Sequence, residues 1–179
     1  GFGVCYEGLV LSAYFGGKPY GYNSENVLIV GIDIDKKEIE RAKREYERLD
    51  TKTMKWVPMP NFKFICGDAR NLKELINADQ DLKELVSDGF DIVVVRHPNI
   101  AENSQIWEDI LRKAYDLMKQ DGLLIATSYI DFEHRMLESL LMKIGYEILI
   151  NKENPYSIPT KYKEVIRDNY VLFAKKKVE

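Results

Sequence analysis

Cysteine is scarce in this chain: Cys5 and Cys66 are the only two in 179 residues, and they stand in no metal-ligand spacing. That rules out a disulfide-stapled scaffold, so both thiols are expected to pack as small apolar side chains in a cytoplasmic protein. Long apolar runs are missing as well. No stretch approaches the roughly 20 residues needed to cross a bilayer, and the first residues lack the basic-then-apolar order of a signal peptide. Nothing here calls for a membrane partner. An excess of one charge is also lacking, because 26 Lys and Arg face 29 Asp and Glu, for a formal charge of −3, and neither sign is gathered in blocks. Binding to nucleic acid driven by bulk charge loses its main support.

Regular alternation is abundant by contrast. Short segments apolar on both faces read as buried parallel strands at Val27 to Ile32, Lys63 to Cys66, Asp91 to Val95, Leu123 to Ser128, Tyr146 to Ile150 and Tyr170 to Lys175. Helical periodicity fills the intervals. Asp35 is placed to cap a helix whose apolar face is Ile39, Ala42, Tyr46 and Leu49, with Glu38 at the capping-box position. A second helix carries Ile106, Trp107, Ile110, Leu111, Ala114, Leu117 and Met118 and is expected to stop at Asp121-Gly122. A third carries Met136, Leu137, Leu140, Leu141 and Ile144, with Gly145 as its left-handed cap. Such alternation builds a doubly wound, mostly parallel α/β sheet with helices on both faces, in one domain spanning 1–179. Phe15 to Asn26, Thr51 to Asn61 and Asn151 to Asp168 fall outside it and read as loops.

Gly1-Phe2-Gly3 precedes a helix-like segment, and the next strand ends in Gly31-Ile32-Asp33-Ile34-Asp35. A glycine turn at a helix N-terminus lets backbone N–H groups approach a ligand, and a carboxylate at the next strand tip can accept both hydroxyls of a ribose. The following strand also ends in an acid, in Cys66-Gly67-Asp68-Ala69, which would set two acids along one crevice. Asp68 could instead cap the helix that starts near Leu72. A glycine turn of this kind normally follows a strand, so the first central strand is expected upstream of residue 1. The rival reading makes Val27 to Ile32 the first strand and the glycine turn incidental.

In order, Gly1-Phe2-Gly3, Gly31-Ile32-Asp33-Ile34-Asp35, Gly67-Asp68-Ala69, Phe90-Asp91-Ile92-Val93-Val94-Val95 and Leu117-Met118-Lys119-Gln120-Asp121-Gly122-Leu123-Leu124 resemble the motif series of class I S-adenosylmethionine-dependent methyltransferases. That resemblance covers nearly the whole chain, and Tyr170 to Lys175 resembles the reversed final strand of the family's sheet. It implies S-adenosyl-L-methionine as cofactor, with Gly1 and Gly3 near its methionine end, Asp33 and Ile34 at the ribose, and Asp68 with Ala69 bordering the adenine. Arg96 would sit where the methyl group meets its acceptor. Two departures stand out. The acid that usually precedes the glycine turn is not in the sequence, and the interval from glycine turn to ribose acid is longer than usual.

At the end of the fourth-strand motif stands Arg96-His97-Pro98-Asn99, which lacks the Asn/Asp-Pro-Pro-aromatic tetrad of amino-methylating DNA enzymes. Methyl transfer from a sulfonium needs positioning and removal of the acceptor's proton. His97 has a suitable side chain for that proton, and Arg96 could grip an acidic substrate through two hydrogen bonds. His97 could equally do no more than hydrogen-bond a neighbouring loop. His134, with Asp131 and Glu133, has the simpler reading of acids placed by a helix dipole; Tyr129 is expected at the strand tip and Trp107 in the core. A small-molecule acceptor is the expectation. The rivals are an NAD-type oxidoreductase, which shares the glycine turn and ribose acid, a non-catalytic binding module, and an RNA or protein methyltransferase.

Overall fold

A computed structural model describes residues 7–16, 27–159 and 166–177. The chain divides into two compact units, Gly1–Ala69 and Arg70–Glu179. In the first, helix α1 (Glu7–Gly16) is followed by strand β1 (Ile29–Asp33), helix α2 (Lys36–Glu45), strands β2 (Glu47–Asp50) and β3 (Lys55–Pro58), and strand β4 (Phe62–Cys66). β1 and β4 pair in parallel, with Ile29 opposite Phe62 and Asp33 opposite Cys66. Asp35 caps α2 as expected, its carboxylate accepting the Lys37 N–H at 2.8 Å, and Ile39 and Ala42 are the helix's fully buried residues. Tyr46, Phe62 and Phe64 close the small apolar cluster beneath the strand pair, with the Tyr46 and Phe62 rings 4.3 Å apart.

Three expectations fail in this unit. The α2 pattern does not continue through Leu49, and Thr51 to Asn61 is not plain loop: β2 and β3 form an antiparallel hairpin in which Leu49 faces Trp56. The turn between them is built by Asp50, whose carboxylate accepts from Lys52 N–H at 3.0 Å and from the Thr53 hydroxyl at 2.7 Å. Local side-chain bonds of this type favour a turn over continued helix. Leu49 and Trp56 are exposed, so the hairpin stands outside the apolar cluster. Cys66 is exposed rather than packed, because it ends β4 and its thiol turns to the Ile34 carbonyl, 3.8 Å away. Cys5 lies outside the described residues.

The second unit contains helices α3 (Leu72–Asn77) and α4 (Gln80–Leu85), strand β5 (Phe90–Arg96), helix α5 (Ile100–Leu117), strand β6 (Met118–Ser128), helix α6 (Asp131–Ile144) and strands β7 (Tyr146–Glu153), β8 (Ile158–Pro159), β9 (Ile166–Arg167) and β10 (Tyr170–Lys176). Its main sheet runs β5-β6-β10-β7. β5 and β6 are parallel, whereas β10 is antiparallel to both β6 and β7, which is the reversed C-terminal strand expected from the sequence. Leu124 and Ala126 of β6 and Leu172 and Ala174 of β10 are fully buried, at alternate positions as a half-covered strand requires. Leu137 and Leu141 of α6 and Leu111 of α5 pack against them. The Tyr146 hydroxyl donates to the Leu111 carbonyl at 3.1 Å, and burial pushes its phenol well above the usual range. Glu108 of α5 links the two helices by accepting from Lys143 of α6 and Arg112, each at 2.7 Å, bonds that hold its carboxyl below the usual range.

Asp121-Gly122 does not end the α5 helix. The helix stops at Leu117, Met118 turns directly into β6, and the dipeptide lies inside that strand. Between the pairs Phe90–Met118 and Ile92–Leu123 the register slips, so residues 119–122 bulge out. A side chain at Gly122 would put its Cβ 2.5 Å from Met118 Cγ and 3.0 Å from the Phe90 carbonyl oxygen, so glycine serves close approach here rather than helix termination. At the end of α6 the expectation holds: Gly145 has φ +117° and its N–H reaches the Leu141 and Met142 carbonyls at 3.2 Å. Within the expected Asn151 to Asp168 loop, β7 extends to Glu153 and β8 pairs with β9. Among the described residues no helix is long and apolar enough to cross a membrane.

Candidate functional site

In the first unit the parallel register of β1 and β4 brings their carboxyl ends side by side. Asp33 sits directly across from Cys66, and the Gly67 N–H donates to the Asp33 carbonyl at 2.9 Å, so Asp68 follows one residue beyond the point of contact. Asp33 is a buried acid at a strand tip. One of its oxygens accepts the Asp35 N–H at 2.8 Å, fixing the turn through Ile34, whose side chain is largely exposed. Ala69 opens a 3₁₀ turn (Ala69–Asn71) that leads into α3, and Asn71, not Asp68, is the residue at the start of that helix. These two acids at neighbouring strand ends suit a ligand with adjacent hydroxyls beside a flat heterocycle, the donor set of an adenosine. Gly1 and Gly3 lie outside the described residues.

In the second unit the chemistry gathers at the carboxyl ends of β5 and β6. Arg96 ends β5 and presents its guanidinium to Asp168, with Nε to Oδ1 at 3.2 Å and Nη2 to Oδ2 at 2.8 Å. The Arg96 fork, read from sequence as a grip for an acidic substrate, thus holds an acid of the chain itself. His97 Nε2 accepts the Asp168 backbone N–H at 3.2 Å and lies 3.0 Å from Asp168 Oδ1. The Thr127 hydroxyl donates to the same Oδ1, and the His97 N–H donates to the Thr127 carbonyl at 2.9 Å. The imidazole stacks on Tyr129, ring centres 3.7 Å apart and planes 22° from parallel.

Asp168 is therefore the centre of the cluster, and the sequence reading did not single it out. Burial alone would raise its carboxyl, but hydrogen bonds from His97, Arg96 and Thr127 outweigh that and hold it far below the usual carboxylate range. Backbone strain marks the same place: His97 has φ +50° and Asp168 φ +51°, the left-handed region in which a non-glycine residue costs about 1–3 kcal/mol. Two such residues facing each other persist because the side-chain bonds between them over-determine the conformation. Nothing local in the sequence marks Asp168, which is 72 residues from Arg96 and 71 from His97.

His134 proves to be a structural residue. It is buried, its Nδ1 lies 2.8 Å from the Ser128 hydroxyl and its Nε2 2.6 Å from Asn151 Oδ1. Since an amide oxygen only accepts, Nε2 carries the proton and Ser128 donates to Nδ1. Asp131 pairs with Arg135 at 2.8 Å, and among the described residues no group of acids, histidines and cysteines is placed to hold a metal. Trp107 packs partly buried against the main core, as expected.

A family model described as a methyltransferase domain matches residues 18–167, a span that runs through both units. No curated protein matches the sequence. Among solved structures, the chain is similar to an rRNA methylase from Streptococcus thermophilus, with 10% identity over 99% of this chain and 84% of that one and a TM-score of 0.56. It is also similar to magnesium protoporphyrin IX methyltransferase from Synechocystis PCC 6803, with 15% identity, 99% and 67% coverage and a TM-score of 0.58. A TehB-like methyltransferase from Corynebacterium glutamicum shares 18% identity over 99% and 77%, with a TM-score of 0.55. At such identities the solved structures speak for the fold, while the family model, matching most of the chain, carries the assignment. This chain belongs to the methyltransferase-domain family and is a class I S-adenosylmethionine-dependent methyltransferase.

Proposed function

We propose that the protein transfers the methyl group of S-adenosyl-L-methionine to a small-molecule acceptor. One observation carries the cofactor half: Asp33 and the Gly67-Asp68 turn emerge side by side from adjacent parallel strands, where an open α/β sheet binds nucleotides. On this reading Asp33 takes the ribose hydroxyls, the Ile34 backbone borders them, Asp68 and Ala69 border the adenine, and Gly1 and Gly3 approach the methionine end. Arg96 and His97 serve the acceptor side, in one methyltransferase domain running through 1–179. The small-molecule half is supported by the near-cancelling charge of −3, with Lys and Arg spread among Asp and Glu along the sequence rather than gathered in basic blocks. An rRNA methylase with this fold keeps RNA as the second reading.

Isothermal titration and methyl-labelled cofactor test both halves. S-adenosylhomocysteine is expected to bind and NAD not to; the reverse would overturn the cofactor assignment. With labelled S-adenosylmethionine, label should pass to a member of a panel of small phenols, thiols, amines and carboxylic acids. Label appearing only in ribosomal RNA fragments supplied in parallel would overturn the acceptor class.

A further inference from the structure

We propose that His97 orients the methyl acceptor as a hydrogen-bond donor through Nδ1–H, and that the acceptor group is a carboxylate. The inference rests on the methyltransferase reading above and narrows its acceptor from small molecules at large to carboxylic acids. Its geometry lies wholly within the second unit.

His97 Nε2 accepts the backbone N–H of Asp168, in the turn between β9 and β10, at 3.2 Å, so in the neutral ring that nitrogen carries the lone pair and the hydrogen sits on Nδ1. Nε2 also lies 3.0 Å from Asp168 Oδ1, a pairing open only to an imidazolium, and a proton added at Nε2 leaves the one on Nδ1 in place. Nδ1 is a donor in either state. Among the described residues nothing accepts from it, and no buried side-chain nitrogen or oxygen lacks a partner, so Nδ1–H opens to solvent. Its aim is fixed. Tyr129, just past β6, stacks on one ring face, and the His97 backbone N–H is tied to the Thr127 carbonyl.

In this cluster neither His97 nor Asp168 is free to take a proton. His97 has no lone pair at Nδ1 and commits the one at Nε2 to a backbone N–H. Asp168 accepts from Arg96 Nε and the Thr127 hydroxyl at Oδ1 and from Arg96 Nη2 at Oδ2, and is held far below the usual carboxylate range, which makes it a poor base. An alcohol, phenol or ammonium group needs a base before it can attack a methyl group, whereas a carboxylate arrives without its proton at neutral pH. It also brings two oxygens, one to accept Nδ1–H and one to attack. Arg96 offsets the charge of Asp168 at 2.8 Å, so an incoming anion meets no uncompensated carboxylate there. S-adenosylmethionine supplies the sulfonium methyl. The attacking oxygen forms its bond to that carbon, the carbon–sulfur bond breaks and its electron pair stays on sulfur. A neutral methyl ester and a neutral thioether result, and no proton is released.

Nitrogen-15 NMR of the histidine-labelled whole chain tests the donor, because the sequence has only two histidines and His97→Gln assigns the signals. The neutral His97 ring should carry its proton on Nδ1 in about tenfold or greater excess. A ring protonated on Nε2 would overturn the proposal with no variant needed. Methyl-labelled cofactor and a panel of carboxylic acids, phenols, thiols and amines test the acceptor: label should enter the acids, come off as methanol in mild alkali, and enter without proton release. Alkali-stable label, or one proton released for each methyl transferred, would overturn the carboxylate. His97→Ala should lower kcat/KM for the acid about 100-fold. His97→Asn keeps a donor at the Nδ1 position and suits the left-handed φ of +50°, so it should recover to within about tenfold of the wild type. Both variants should bind S-adenosylhomocysteine within about twofold of the wild type, because His97 stands on the acceptor side. A His97→Asn that binds it yet works no better than His97→Ala would overturn the donor role. Failure of the methyltransferase reading would look different, namely no S-adenosylhomocysteine binding by the wild type.

Discussion

Asp33 and Asp168 are both largely buried acids, yet they do different work. Asp33 spends one oxygen on the Asp35 N–H to set a strand-end turn. Replacing it with alanine should weaken S-adenosylhomocysteine binding about 100-fold, from loss of charge-assisted hydrogen bonds worth about 1.5–3 kcal/mol each. Titration calorimetry reads this, and unchanged affinity would remove the ribose assignment. His97→Ala should instead lower kcat/KM about 100-fold with cofactor affinity kept, as expected for loss of a charge-assisted hydrogen bond to the acceptor. Asp168 makes a separate prediction through pH. Its carboxyl is held below the unfolded value of about 3.9, so its stabilisation is complete above roughly pH 4 and is lost as pH falls through the lower folded value. The stability gap between wild type and Asp168→Asn should therefore be widest at pH 7, about 2 kcal/mol, and close progressively below pH 4 in urea titrations. A gap independent of pH would show that the carboxylate's charge is not what stabilises the turn.

At the scale of elements, agreement and disagreement with the sequence reading have separable causes. All six expected strands form, within two or three residues at most ends, because each is a short apolar run bounded by turn residues. β6 is the exception, starting five residues early at Met118. The stripe through Leu117 and Met118 runs straight into the strand, and an apolar residue ending a helix looks like one starting a strand. The β2–β3 hairpin was hidden for a related reason. Leu49 lies at helical spacing from Tyr46, and only the Asp50–Thr53 turn, a local hydrogen-bonding signal, marks the reversal. Gly145 was legible because a left-handed cap leaves a one-residue signature. Gly145→Ala, with φ +117° to satisfy and the nearest atom to its Cβ, the Tyr115 hydroxyl, at an ordinary 3.6 Å, should cost about 1–2 kcal/mol through backbone strain rather than collision. Denaturant melts would check it; no loss would mean the helix end relaxes freely.

At the scale of the whole molecule, the larger core is the one that β6, β10, α5 and α6 build around Leu124, Leu137, Leu141 and Leu172. Leu172 is fully buried on β10, which pairs with both β6 and β7, so Leu172→Ala should cost about 3 kcal/mol in equilibrium unfolding. A loss under 1 kcal/mol would mean that this strand is not central to the unit. The order of the six longer strands, the helices α2, α5 and α6 between them, and the acids at the tip of β1 and just after β4 were readable from residues alone. Periodicity and turn chemistry are local properties, and a parallel strand pair joined by a helix has few ways to connect. Partnership across the sheet was not readable. Asp168 meets Arg96, His97 and Thr127 only because β10 reverses and inserts beside β6, which carries the turn before it to the tips of β5 and β6. Residues brought together by strand order across more than forty positions leave no pattern along the chain, so the folded sheet alone decided which acid the histidine faces.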